Sequence, residues 1–126
     1  MTNYHELDEF KDVLLEDSFV IGIKESEVEI SFSVELILRE NHPMHRPPKI
    51  GEQYCYQDAD IVFGNVRHIE WLEKSNSSFT DANGSVDYGN IDIFQFSSKE
   101  YYLEGDWGRI MISSDPPTIR YQVVDC

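Results

Sequence analysis

The sequence predicts a mainly β protein: an antiparallel β-sandwich or barrel of about seven strands, with one short N-terminal helix. Three observations point there. Apolar and polar residues alternate over long runs, most cleanly in EVEISFSVELILRE. Turn-forming clusters recur between those runs. Aromatic residues make up 13% of the chain, enough to build a core rather than a disordered coil. At 126 residues, with no internal repeat and no linker composition, residues 1–126 read as a single domain.

The first segment, NYHELDEFKDVLLED, carries the helix signal. Asn3 can cap it, Glu6 completes a capping box, and Leu7, Phe10 and Leu14 fall on one helical stripe. After Asp17 the period changes to two: Phe19, Ile21 and Ile23 alternate. Val28, Ile30, Phe32, Val34, Leu36 and Leu38 then share one face of a long strand, with Glu29, Ser31, Ser33 and Glu35 on the wet face. The short polar link KESE makes these two runs a β-hairpin. Pro43, Pro47 and Pro48 exclude a central strand, because each lacks a ladder donor. Strand character returns near Tyr54 and runs through IVFGNVRHIEWLEK, interrupted by a bulge or turn at Gly64-Asn65. A long polar loop, SNSSFTDANGSVDYGN, carries a turn at Asn83-Gly84. NIDIFQFSS, YYLEGDWGRIMIS and TIRYQVV supply the last strands, with a tight connection at Asp106-Trp107 and a turn at Asp115-Pro116-Pro117.

Charge narrows the function classes. Twenty-four acidic residues face ten basic ones, a formal net charge of -14. A phosphate backbone would be repelled, as would an anionic membrane surface, so neither is an expected partner. A cationic protein would be steered in. No apolar run approaches the ~20 residues of a membrane span. The acidic start MTNYHELDEF lacks the apolar core of a signal peptide, so the expected location is cytoplasmic. Cys55 and Cys126 are then expected to be reduced, and they lack the spacing of a redox or zinc motif. A sheet edge offers a route to a dimer.

Four groups of residues are candidates for chemistry. His42 and His45, three apart in HPMHRPPKIGEQYC, would form a metal site only if they converged with Cys55 or another ligand; the prolines argue against that. The same stretch, with Arg39, Arg46 and Lys49, gathers positive charge on an acidic chain and reads better as a contact loop. Asp81, Asn83, Ser85, Asp87 and Asp92 partly match a calcium loop, but Val86 replaces its glycine and Asp92 its glutamate. Paired acids such as Asp58 and Asp60, or Glu70 and Glu73, suit acid–base work in principle, yet no nucleophile elbow, P-loop or dinucleotide motif is present. Tyrosine and tryptophan suit binding surfaces. Trp71, in register with Ile69, reads as core. Trp107, between two glycines, reads as exposed. The expected binding residues are Trp107, Asp106, Tyr102, His42, His45 and Arg46, with no catalytic residue, metal or cofactor assigned.

DSFVIGI, VEISFSVELIL and YLEGDWGRIMISSDPP together resemble small bacterial β-rich proteins of unknown function, some grouped with immunity-type proteins that neutralise polymorphic toxins. The resemblance implies a non-enzymatic bacterial protein. The expected function is therefore an acidic protein-interaction domain, of immunity type, binding a cationic protein. The alternatives are a small-ligand or carbohydrate-binding domain using Trp107 and nearby tyrosines, and a metal-dependent enzyme using His42 and His45.

Overall fold

The alternation that dominates the sequence places one strand in the middle of a sheet. The computed structural model describes residues 1–48, 50–51, 54, 56–75, 78–80, 82 and 84–122. Its strands in chain order are β1 (Thr2–Asn3), β2 (Val13–Glu25), β3 (Ile30–Leu38), β4 (Tyr56–Phe63), β5 (His68–Lys74), β6 (Phe79–Thr80), β7 (Val86–Asp87), β8 (Ile91–Ser97), β9 (Glu100–Gly105), β10 (Gly108–Ser113) and β11 (Thr118–Tyr121). Strand accounts for 58% of the described residues against 5% for helical turns, so the protein is mainly β. One antiparallel sheet has the order β11-β4-β3-β2, the other the order β1-β8-β9-β10-β5, and β6 and β7 form a small hairpin of their own. Among the described residues no sheet closes on itself, so the barrel expectation is not met.

Every second residue of β3 from Ile30 to Leu38 is buried, as the alternation requires. Val28, placed on the same stripe by the sequence, lies before the strand and is 66% exposed. The β2–β3 hairpin is present, closed by Ser26 and Glu29 through their backbone and the Ser26 hydroxyl. Residues from both large sheets share one apolar cluster. Phe32 of β3 meets Trp107 at 5.2 Å between ring centroids, and Phe63 of β4 meets Tyr101 at 5.5 Å and Phe94 at 5.9 Å.

Two expectations fail in β2 and before it. The N-terminal helix is replaced by two 3-10 turns, Tyr4–Glu6 and Asp8–Phe10, separated by an extended Leu7. Asn3 does cap the first turn, its side chain accepting from the His5 amide. Leu14 belongs not to a helical stripe but to β2, where it pairs with Ile37. Burial explains the choice: Tyr4, Phe10, Val13 and Leu15 all reach the core, which a single helix stripe could not achieve. Tyr4 anchors the segment by accepting from the Leu15 amide and donating to Glu16 at 2.5 Å.

The second failure is the Phe19, Ile21, Ile23 face. Four residues of β2, Leu15 to Ser18, stand opposite the single Leu36 of β3, and a further irregularity follows Val20. These bulges rephase the strand, so Val20 is buried while Ile21 is 37% exposed. Ser18 repairs the first gap: its hydroxyl donates to the Leu14 carbonyl at 2.6 Å and accepts the Ile37 amide at 2.9 Å. A buried hydroxyl is thereby satisfied where ladder bonds are lost.

Gly64 and Asn65 mark the passage from one sheet to the other rather than a bulge within a strand. Asn65 has a φ of 50°, and its side chain donates to Asp115, which also meets Arg67 and Lys99. Asp115 therefore ties this passage to the end of β10, and these donors and cations hold its carboxyl below its ordinary value.

The LEGDWG segment folds inward. Trp107 is 2% exposed, which corrects the expectation of an exposed indole. Its Nε1–H donates to the Asn90 carbonyl at 3.0 Å. Gly105 makes this seat: a Cβ there would collide with the Asn90 oxygen and stand 2.5 Å from Trp107 Nε1. The turn is tight because Trp107 has to pass between the sheets, where no side chain at 105 fits. We expect Trp107→Ala to cost about 3–5 kcal/mol of stability, in the range for deleting a buried large aromatic. Gly105→Ala should also lower the urea midpoint clearly, whereas Gly64→Ala, with open space around it, should stay within about 0.5 kcal/mol of the parent. Equilibrium urea unfolding of the three variants checks this.

Candidate functional site

The two histidines of the proline-rich loop point apart. Successive turns, His42 amide to Arg39 carbonyl and His45 amide to His42 carbonyl, bend the chain after β3. His42 Nδ1 accepts the Met44 amide at 3.0 Å, so its proton sits on Nε2, which lies 2.8 Å from the Tyr121 hydroxyl. His42 lines a cleft of about 330 Å³ with Asp8, Asp12 and Tyr121. His45 lines another, of about 550 Å³, with Ile37, Pro48 and Tyr54. With both ring nitrogens engaged, His42 is a clasp between the loop and β11. Cys55 and Lys49 lie outside the described residues, and among the described residues no group of three His, Cys, Asp or Glu side chains could hold a metal ion. Arg46 is exposed on the same loop.

The calcium-like template is only partly described. Asp81 and Asn83 lie outside the described residues. Asp87, in β7, uses a carboxylate oxygen to accept the Gly89 amide at 2.8 Å, which makes a local turn. Asp92 lies in β8.

The expected binding residues of β9 and β10 separate as well. Trp107 points into the core, Asp106 is exposed at the hairpin tip, and Tyr102 lies half-buried on the outer face of the five-stranded sheet. Register explains that face. One row across it reads Ile93, Glu104, Arg109, Glu73; the next reads Gln95, Tyr102, Met111, Glu70; the third reads Ser97, Glu100, Ser113, His68. Four glutamates thus surround Tyr102 and Met111, and Arg109 is the one Lys or Arg in these rows. Arg109 pairs with Glu73 at 3.3 Å. Tyr102 donates to Glu104 at 2.6 Å, a bond that raises the phenol's pKa. Near the tip, burial and then the charges of Asp106, Glu104 and Glu16 push the Asp92 carboxyl above its ordinary 3.8.

A further cleft, about 300 Å³, opens where the edge strands of the two sheets approach, β2 near Gly22 and β5 near Trp71. The sequence assigned Trp71 to the core and Trp107 to the surface; the structure buries Trp107, and it packs Trp71 against the core while leaving it half-buried on the cleft wall. Period-two register could not show that β5 is an edge strand. Trp71 donates through Nε1 to Glu25 at 2.9 Å, meets Trp107 edge-to-face at 6.1 Å, and carries the Lys74 ammonium 5.0 Å from its ring. Tyr88 completes the aromatic lining. Neither Glu25 nor Lys74 stood out in the sequence, because each takes its place from strand pairing alone.

No helix is long and apolar enough to cross a membrane, among the described residues. The chain matches no protein-family model, no curated protein and no solved structure.

Two pH effects follow. Burial, and then the nearby His45, lowers the His42 pKa below 6.5, against an opposing effect of Asp12. The folded chain then binds fewer protons than the unfolded one. His42's contribution to stability is present above pH 6.5 and lost as pH falls through its folded value. NMR titration should give His42 a midpoint below 6.5, and Tyr121→Phe should reduce its protection from solvent. For Asp92 the sign is opposite: its contribution is full below pH 3.8 and lost as pH rises through its raised folded value. Asp92→Asn should therefore raise the melting temperature at pH 7 and leave it unchanged near pH 3, as read by calorimetry.

Proposed function

We propose that the protein is a non-enzymatic acidic interaction domain, of immunity type, whose partner is a cationic protein. The observation that carries this reading is the outer face of the five-stranded sheet, where Glu70, Glu73, Glu100 and Glu104 ring Tyr102 and Met111. A tyrosine and a methionine are the residue types favoured at the centre of protein interfaces, and charges belong at the rim. The rim carboxylates would speed encounter with a basic surface, and Tyr102 would supply buried area once docked. The overall charge of -14 extends the same attraction over longer range. The facing of the two sheets across one core supports reading the architecture as an open sandwich, which leaves this outer face to a partner.

Affinity capture from a source-cell extract tests the proposal, with the parent and a Glu70→Lys, Glu100→Lys double variant compared. Both positions are exposed, so the fold should persist. The parent should retain a basic protein that salt releases, and the variant should lose it. Recovery of acidic proteins only, of none at any salt, or of equal amounts on both would sink the idea.

A further inference from the structure

The cleft between the edge strands has walls that fit one ligand chemistry. Trp71 and Trp107 stand at 87° to one another with centroids 6.1 Å apart, and Tyr88 lines the same space. Aromatic faces carry the negative end of the ring quadrupole, so the Trp71 face, with Tyr88 lining the same space and the buried Trp107 behind as floor, attracts a cation. Glu25 adds a full negative charge at the rim, held in place by the Trp71 indole N–H. The chain itself shows the preference. Lys74, an exposed side chain on a flexible stem, lays its ammonium 5.0 Å from the Trp71 centroid.

We infer that this cleft is a binding site for a compact organic cation, a methylated ammonium group above all, and that Lys74 is the internal occupant such a ligand displaces. A volume of about 300 Å³ lies at the small end of ligand sites, which suits a head group rather than an extended molecule. An anion would face the Glu25 carboxylate. A neutral apolar group would gain the rings but leave Glu25 unmatched. A methylated ammonium ion matches both, and it sheds water more readily than the Lys74 ammonium, because its charge is covered by methyl groups and donates no hydrogen bonds. The inference is independent of the acidic outer face, which lies on the other side of the same sheet.

The test is a titration with N-acetyl-trimethyl-lysine amide, alongside its neutral carbon isostere and methyl glucoside, followed by the Trp71 indole N–H resonance and tryptophan fluorescence. Three proteins are compared: the parent, Lys74→Met and Glu25→Gln. Both substitutions are at exposed positions, and glutamine retains an oxygen for the Trp71 N–H, so the cleft is kept while its charge changes. The trimethylammonium probe should bind saturably, about two- to five-fold more tightly to Lys74→Met, the equivalent of one exposed cation–π contact, and more weakly to Glu25→Gln. Overturning results are no saturable binding to any of the three, equal binding of the neutral isostere, unchanged affinity in Lys74→Met, or binding of the glucoside in place of the cation.

Discussion

The bond from the Trp107 indole to the Asn90 carbonyl is the constraint on which the rest of the structure depends. It fixes the β9–β10 hairpin against the entry to β8 and sets Trp107 against Phe32 of the other sheet. Trp107 then supplies one wall of the cleft, with Trp71 set square to it. Gly105 is the residue that permits this, since any side chain would occupy the space of the bond itself. The core, the hairpin and the cleft thus share one indole.

This arrangement explains what the sequence could and could not convey. The β2–β3 hairpin, the buried stripe of β3 and the mainly β character follow from alternation, a local property. The β2 bulges do not, because Ser18 substitutes for ladder bonds only through its hydroxyl, and serine reads as a solvent-facing residue. Trp107 took a role opposite to the expected one for a similar reason. Trp107 sits between glycines, the ordinary sign of a surface turn, yet the glycines serve close approach instead. Trp71 keeps its core parity and packs against the core, yet stays half-buried on the cleft wall, because β5 ends its sheet. Of the six expected binding residues, Tyr102 alone lies on the face proposed for partner binding. His42 and His45 proved to be separate fittings of one loop, a matter of turn geometry that spacing cannot reveal.

Charge is distributed with some order. The rows of the five-stranded sheet gather glutamates around Tyr102, and the Asp92 carboxyl responds to desolvation, and then to its acidic neighbours, by holding its proton more tightly. The cations are used locally instead: Arg109 on Glu73, Arg67 and Lys99 on Asp115, Lys74 on Trp71. Exposed ion pairs of this kind contribute little to stability, so these contacts do not explain what holds the fold together.

The passage at Gly64 and Asn65 has a consequence for how the chain reaches this state. It sends β4 and β5, neighbours in sequence, into different sheets: β4 pairs with β3 and then with the distant β11, Ile61 facing Phe32 and Ile119, while β5 finds its ladder in the distant β10, Ile69 facing Ile112. The entropy of closing those long loops is lost before any of the pairing is gained. The β2–β3 and β8–β9–β10 hairpins rest on local contacts, while β5 and β11 rest on distant ones. Such non-local pairing favours slow folding, and a chain in which β5 and β11 had not docked would leave the apolar floor of the cleft and one edge of β4 open to other chains.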